Sequence, residues 1–128
     1  MANALRGWHE VALRRDFDAI EGLLADDVVF ESPIVHTPQV GKAITAMYLN
    51  AAVHVLSNDS FRFTGEWKDE RSGVLEFLGE VEGIRINGID MIRWNEAGLI
   101  THFKVMVRPL KAINLLHQKM GELLAAAG

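Results

Sequence analysis

The feature that most constrains this 128-residue sequence is a run of four segments between Phe61 and Arg108 in which apolar and polar residues alternate. Alternation with a period of two is typical of β-strands, because successive side chains point to opposite faces of a sheet. The segments are "FRFTGEW", "VLEFLGEVEG", "IRINGIDMIRW" and "LITHFKVMVR", and turn-forming residues separate them. We therefore expect consecutive antiparallel strands that form one curved sheet, with its apolar face covered by helices.

Helical spacing of apolar residues occurs on both sides of the strand region. We predict two short N-terminal helices, then a strand at "VVFESP", then a third helix from Lys42 that ends before "SND", and a last helix after Pro109. The last helix needs a surface to cover, and the sequence leaves open both the outer side of the sheet and a partner subunit. The predicted apolar stripes are Leu5, Trp8 and Ala12; Phe17, Ile20 and Leu24 after a cap at Asp16; Ile44, Met47, Tyr48, Ala51 and Val55; and Ile113, Leu116, Met120, Leu123 and Leu124.

The composition is that of an ordinary globular domain, with 49% hydrophobic and 23% charged residues, so we expect one domain over residues 1–128. The net charge of −4 excludes a basic field for nucleic acid, so no nucleic-acid partner is expected. The sequence contains no cysteine and no apolar run near the roughly 20 residues of a membrane span, which favours a cytoplasmic protein without a membrane partner. No metal-ligand spacing and no phosphate-binding glycine loop occurs, so neither a metal nor a cofactor is expected.

One acid falls on the apolar side of a predicted strand. In "IRINGIDMIRW", Asp90 shares a face with Ile84, Ile86, Gly88, Ile92 and Trp94. An ionised carboxylate is costly to bury without a partner, so burial should raise the pKa of Asp90. Acids of this kind are enriched at functional sites, although Asp90 could instead be held by backbone or indole N–H groups and serve the sheet alone.

Two local patterns, "LADDVVFESP" and "GIDMIRWNEAGLITHF", occur in an order of elements that resembles the nuclear transport factor 2-like superfamily, in particular its SnoaL-like and ketosteroid-isomerase-like branch. The resemblance covers residues 5–108 and leaves 109–128 as a C-terminal helical extension. It implies a cone-shaped α+β fold, in which a curved antiparallel sheet wraps around the N-terminal helices and leaves an apolar pocket. It also implies a homodimer formed through the outer face of the sheet, where the predicted mixture of apolar and charged residues suits an interface.

The same resemblance gives Asp90 a role and removes other parts of the family's chemistry. Asp90 is similar in place to the acid that ketosteroid isomerases keep protonated in an apolar pocket to donate a hydrogen bond to an enolate oxygen. The position of the isomerases' general base is occupied by Ser32, and Glu31, one residue earlier, should point to the opposite face. The oxyanion tyrosine of the isomerases corresponds to Trp8, which can donate a hydrogen bond but cannot exchange a proton. The catalytic acid of SnoaL-type cyclases is also absent, since Phe103 and Lys104 match that region.

The candidate residues carry alternative interpretations. We name Asp90, His36 and Tyr48 as candidate catalytic residues, although His36 could be an exposed loop residue and Tyr48 could be core packing. Tryptophan rings could line a pocket for a ring-shaped ligand, or belong to the core. The candidate substrate-binding residues are Trp8, Ser32, Phe63, Trp67, Ile86, Trp94, Phe103 and Val105.

Two functional hypotheses follow. The first is an enzyme of ketosteroid-isomerase or SnoaL-like type, which moves a proton on a small hydrophobic molecule with Asp90 as acid or hydrogen-bond donor and with His36 or Tyr48 assisting. The second is a non-catalytic module that binds a hydrophobic ligand or only dimerises. Retention of Asp90 favours the enzyme, and Ser32 in place of a base favours the module.

Overall fold

The computed structural model describes residues 4–127, which form an α+β fold with helices packed on one face of a six-stranded sheet. A short 3-10 turn at Glu21–Leu23 joins the second helix to the first strand. No helix within the described residues is long and apolar enough to cross a membrane. The elements are α1 (Ala4–Arg14), α2 (Phe17–Ile20), β1 (Leu24–Glu31), β2 (Gln39–Val40), α3 (Lys42–Leu56), β3 (Arg62–Lys68), β4 (Ser72–Val81), β5 (Ile84–Trp94), β6 (Ile100–Arg108) and α4 (Leu110–Ala127).

The sheet has the strand order β2-β1-β6-β5-β4-β3. The predicted run of four antiparallel strands is confirmed as β3 to β6. A two-residue turn joins β4 to β5, and both Glu82 and Gly83 have the positive φ that tight hairpins of this length require. The first strand adds to this meander by pairing parallel to β6, with Phe30 opposite Phe103.

The inner face of the sheet carries the core, as the alternation predicts. In β5 the residues from Ile86 to Trp94 alternate between buried and more exposed, and Asp90 lies on the buried side. Helices α1 and α3 cover this face, so that Leu5 and Trp8 pack with Leu49 and the strand residues. The burial of apolar side chains between these two layers positions Asp90 under the helices.

The prediction that β3 keeps one apolar face along its whole length is wrong. Phe63 lies opposite Phe77 on the inner face, but the register shifts by one residue before Gly65. A bulge of this kind sends every later side chain to the other face. Trp67 therefore lies opposite Val74 on the outer face and is 58% exposed.

The second helix is shorter than predicted. It ends at Ile20, and Asp16 makes no side-chain cap hydrogen bond. Leu24, predicted as part of the helical stripe, is the first residue of β1 and pairs with Ile100. Leu24 is buried, as predicted, but it lies in a strand that pairs with β6 and not in a helix.

The predicted buried stripe of α3 is offset from the observed one. Met47 is 40% exposed, and the buried positions are Thr45, Ala46, Leu49, Ala51 and Val53. This helix is apolar on nearly all sides, so the spacing alone does not single out the face that packs on the sheet.

The last helix packs on the inner face of the sheet and not on its outer side, which was one of the two surfaces that the sequence left open. Ala112, Leu115 and Leu116 pack with Phe77 and Ile86, which belong to the inner face of the sheet. An ion pair between Lys119 and Glu82 joins the helix to the β4–β5 turn. Helix α4 therefore covers the part of the concave face that α1 and α3 leave uncovered.

Candidate functional site

Asp90 lies in the middle of β5, between Leu75 of β4 and Val105 of β6. Its exposed fraction is 6%, which is very low for an aspartate. The indole Nε1–H of Trp8 donates a hydrogen bond of 2.9 Å to its Oδ2 atom. The site therefore joins the first helix to the centre of the sheet through one buried polar contact.

The surroundings of Asp90 shift its proton affinity. Burial, which removes water from the carboxylate, raises the pKa of Asp90 to about 7, and the hydrogen bond from Trp8 opposes that rise. Both the protonated and the ionised form of Asp90 are consequently populated near neutral pH. A carboxyl group in this range can accept and return a proton without a large energetic penalty.

A small apolar cavity of about 40 Å³ lies beside Asp90. Of its lining residues only Asp90 is ionisable, and the hydroxyl of Ser57 donates its hydrogen to the carbonyl of Ala12 at 2.9 Å. A volume of this size holds one or two water molecules, whereas ligand pockets are typically about 300–1,000 Å³. The lining residues are Trp8, Ala12, Leu49, Ala52, Val53, Leu56, Ser57, Phe61, Phe77, Asp90, Phe103 and Val105.

Four of the predicted site residues come together at this cavity. They are Asp90, Trp8, Phe103 and Val105, contributed by β5, α1 and β6. Trp8 is fixed there by an edge-on contact with the ring of Phe103, whose centroid lies 4.9 Å away. These contacts place an apolar aromatic wall and a hydrogen-bond donor on the same side of the carboxyl group.

Several predicted residues belong to the core and do not line the cavity. Tyr48 stacks on Phe30, with ring centroids 5.5 Å apart. Ile86 packs under α4, and Trp94 packs in the main core. Phe63 is half-buried against the ring of His9 at 4.5 Å.

Ser32 and His36 lie at a different surface. They line a depression between the β1–β2 connection and the outer residues of β6, which Lys104 and Met106 also border. The hydroxyl of Ser32 accepts a hydrogen bond from the backbone N–H of Ile34 at 2.9 Å, so it stabilises the loop. His36 is exposed, and the structure does not bring it to Asp90.

Glu31 points away from the cavity, as its position one residue before Ser32 predicts. Its Oε2 atom lies 2.6 Å from Nε2 of His102 and 3.8 Å from Nζ of Lys104, both on β6. It therefore takes part in a cluster of polar side chains on the outer face of the sheet. Trp67, Met91 and other outer residues surround a neighbouring depression of about 410 Å³, on the opposite side from Asp90.

Helix α3 and the residue that follows it contribute to the cavity, and no residue of this segment except Tyr48 was predicted to belong to the site. Leu49, Val53 and Ser57 follow one another at intervals of four residues, which places them on one helical face. That spacing is visible in the sequence but competes with the other apolar stripes of the helix. Phe77 of β4 also lines the cavity, and its ring fills the space left by Gly88, where a Cβ atom would lie 2.4 Å from Cζ of Phe77.

Across residues 4–127, no three His, Cys, Asp or Glu side chains come together in a way that could hold a metal ion.

Known structures resemble this chain over most of its length. A steroid Δ-isomerase from Pseudomonas aeruginosa is 39% identical to this chain and superposes with a TM-score of 0.90. The superposition covers 97% of this chain and 90% of the isomerase chain. An uncharacterised bacterial protein with a cystatin-like fold from Silicibacter pomeroyi is 31% identical, with 95% of this chain and 85% of its own covered, at a TM-score of 0.87. The epoxide hydrolase/cyclase-like enzyme SalBIII, of pyran ring formation in polyether salinomycin, shares the fold at 16% identity, with 82% of this chain and 88% of its own covered and a TM-score of 0.67.

No curated protein matches the sequence significantly. The family model of the SnoaL-like domain, however, matches residues 5–103, which is most of the chain. The order of elements, the packing of helices on one face of the sheet and the two local sequence patterns agree with that match. The chain therefore belongs to the SnoaL-like family, within the nuclear transport factor 2-like superfamily.

Proposed function

We propose that this protein is an enzyme that moves a proton on a small hydrophobic molecule bearing a carbonyl group, and that Asp90 is the group that exchanges the proton. The observation that carries the proposal is a carboxyl group that is 6% exposed, borders an apolar cavity and has a pKa of about 7. A buried acid reduces stability, so its presence in an otherwise apolar place favours a chemical role.

The similarity to a steroid Δ-isomerase supports this class of substrate. That protein is 39% identical to this chain over nearly its whole length. The reaction of such an enzyme shifts a carbon–carbon double bond by moving one proton, which needs a proton-exchanging group in an apolar site. A β,γ-unsaturated ketone is therefore the first substrate class to test.

Binding such a substrate requires the cavity to widen from its present 40 Å³. The wall formed by Phe61 is the part that we expect to move, because Phe61 is only half-buried and lies in the connection between α3 and β3. Its ring stacks on Phe77 at 5.5 Å, so a displaced Phe61 would open the cavity towards the space beneath α4.

The experiment is an isomerisation assay with 5-androstene-3,17-dione and smaller β,γ-unsaturated ketones, followed by the ultraviolet absorbance of the conjugated product. We expect turnover by the unchanged protein and a loss of at least about 100-fold in Asp90→Asn, because an amide cannot exchange the proton. The matched control is Asp26→Asn, whose carboxylate is 98% exposed and pairs with Lys42 at the surface. Equal rates in the unchanged protein and Asp90→Asn would remove Asp90 from the reaction.

The alternative is a non-catalytic module that holds a hydrophobic ligand or only dimerises. The observation that favours it is Ser32, which occupies the position of the isomerases' base and whose hydroxyl is used by the loop. Saturable binding of the steroid ketone without conversion, unchanged in Asp90→Asn, would support the binding module over the enzyme.

We also propose that the protein forms a homodimer through the outer face of its sheet. Val40, Trp67 and Met106 are large apolar residues on that face, and 69%, 58% and 48% of their surface is exposed. The same face carries both acids and bases, including Glu31 and Arg93, so a second copy related by a two-fold axis can pair unlike charges.

A further inference from the structure

We infer that Asp90 acts as the base of the proposed reaction through its Oδ1 atom, and that Trp8 is the positioning residue that assigns this role by donating to Oδ2. The inference rests on the proposed function and goes beyond it. It reverses the role that the resemblance to ketosteroid isomerases implies, in which the acid at this place stays protonated and donates.

The chemistry of the indole group determines which oxygen atom exchanges the proton. An indole Nε1–H can donate a hydrogen bond but can neither accept one nor give up its proton usefully. Oδ2 of Asp90 must therefore accept from Trp8 at 2.9 Å, whichever form the carboxyl group is in. Because the carbonyl-type oxygen of a neutral carboxyl group accepts more strongly than the hydroxyl oxygen, this contact favours Oδ2 as the acceptor and Oδ1 as the atom that carries the proton.

The contact with Trp8 is held firmly enough to determine the orientation of the carboxyl group. Trp8 is 4% exposed and packs within α1 beside the equally buried Leu5 and Ala12. Its ring also meets Phe103 edge-on. A donor fixed in this way stabilises the ionised carboxylate more than the protonated acid, which favours a proton acceptor over a donor.

Among the described residues that line the cavity, Asp90 is the one whose side chain can carry a proton. The residues that α1, α3, β4 and β6 bring to the cavity include no other ionisable side chain among those that the structure describes. The hydroxyl hydrogen of Ser57 is engaged by the carbonyl of Ala12. Both the removal and the return of a proton must therefore pass through Asp90.

The proton transfer that this arrangement allows needs only the substrate and the carboxylate of Asp90. Oδ1 takes a proton from the carbon next to the carbonyl group, so a C–H bond breaks, an O–H bond forms and the electron pair moves into an enolate. The same Oδ1–H then protonates the far carbon of the enolate system. The double bond has shifted, and Asp90 is again ionised.

The first test needs neither a variant nor a substrate. The Nε1–H resonance of Trp8 in proton–nitrogen NMR spectra should shift with pH, with a midpoint near the pKa of about 7 of Asp90, because its acceptor changes charge. The resonance of Trp94, which is buried in the main core and does not line the cavity, is the internal control and should stay constant. A Trp8 resonance that does not respond between pH 5 and 9 would overturn the assignment.

The second test uses turnover of the β,γ-unsaturated ketones. For a base, kcat/KM should rise with pH through the pKa of Asp90, and in Trp8→Phe that rise should move upwards by about 0.5–1 pH unit, as expected for the loss of one hydrogen bond to a carboxylate. A kcat/KM that falls as the pH rises over the same range would overturn the inference. A pH dependence of kcat/KM with the same midpoint in a folded Trp8→Phe protein as in the unchanged protein would also overturn it. If no ketone is converted, the proposed function and the base role both fail, while the response of the Trp8 resonance separately decides whether the contact favours the carboxylate.

Discussion

At the scale of single residues, Asp90 makes the stability of the protein depend on pH. Its pKa is raised from 3.8 to about 7 in the folded state, so the folded protein holds this proton more tightly than the unfolded chain. The contribution of Asp90 to stability is therefore complete below about pH 4 and is lost as the pH rises to about 7. This direction is opposite to that of the usual surface carboxylate.

The first prediction compares Asp90→Asn with the unchanged protein. Asparagine cannot ionise, and its side-chain oxygen can still accept from Trp8, so the variant should be more stable at pH 8 by on the order of 2–4 kcal/mol. At pH 4 the difference should nearly vanish. Urea denaturation at the two pH values measures both free energies of unfolding, and an Asp90→Asn protein that is less stable at pH 8 would show that the carboxylate supports the fold.

A second prediction concerns Thr45, whose side chain is fully buried on α3. Its hydroxyl Oγ1 has no hydrogen-bond partner among the residues described. Replacing the hydroxyl with a methyl group of similar shape removes an unpaired polar group, so Thr45→Val should stabilise the fold by about 1 kcal/mol. Thr64→Val, at an exposed position of β3, is the control that should change the free energy of unfolding little. A loss of stability in Thr45→Val would mean that the hydroxyl has a partner.

Asp90 could be identified from the sequence because the period of two in a strand is enough to assign each residue to one face of the sheet. Sequence reasoning also named Trp8, Phe103 and Val105, and it raised an indole N–H as a possible partner of Asp90, but it did not identify Trp8, 82 positions away, as the donor. Such a contact depends on how α1 crosses the sheet. No local pattern contains that information.

At the scale of the elements, predictions succeeded where one face was clearly apolar. The faces of β4 and β5 agree with their alternation, whereas a bulge in β3 reversed the face of Trp67. A bulge is one extra residue in a ladder, and its signal in "FRFTGEW" is Gly65, a glycine inside a strand pattern, which was interpreted only as a member of the apolar face. The buried face of α3 was missed because the helix is apolar nearly all round.

A third prediction concerns the close approach of β5 to its neighbours at Gly88. A Cβ atom there would lie 2.4 Å from Cζ of Phe77 and 2.7 Å from the carbonyl oxygen of Met106. The backbone atom cannot move away cheaply, so Gly88→Ala should destabilise the protein by about 1–3 kcal/mol. Gly121→Ala in α4 is the matched control, since a Cβ atom added there would meet nothing within 4 Å and alanine favours a helix. Thermal unfolding of both variants decides this, and an unchanged melting temperature in Gly88→Ala would contradict the packing described.

At the scale of the whole molecule, α4 completes the helical layer. It packs on Phe77 and Ile86, so the concave face of the sheet is covered along its length, and the small cavity at Asp90 lies between the two layers. The sequence predicted that α4 has an apolar stripe but could not place it, because an amphipathic helix fits any apolar surface. The resemblance gave no help, since it ended at residue 108.

The fourth prediction tests the proposed dimer. Met106→Asp introduces a charge on the outer face of the sheet, at a position that is 48% exposed, and should convert a dimer to a monomer. Leu13→Asp, on α1 and 46% exposed, is the matched control and should stay dimeric. Light scattering after size-exclusion chromatography gives both masses. A monomeric unchanged protein, or a dimer that survives Met106→Asp, would contradict an interface at this face.

The measurement that tests the central claim most directly is the titration of the Asp90 carboxyl carbon by carbon-13 NMR in the unchanged protein. If the group is buried against an apolar cavity as described, its midpoint lies near pH 7. A midpoint near pH 4, the value of an aspartate in water, would mean that the carboxyl group is solvated and ionised throughout, and both the proton-transfer function and the role of Trp8 would be contradicted.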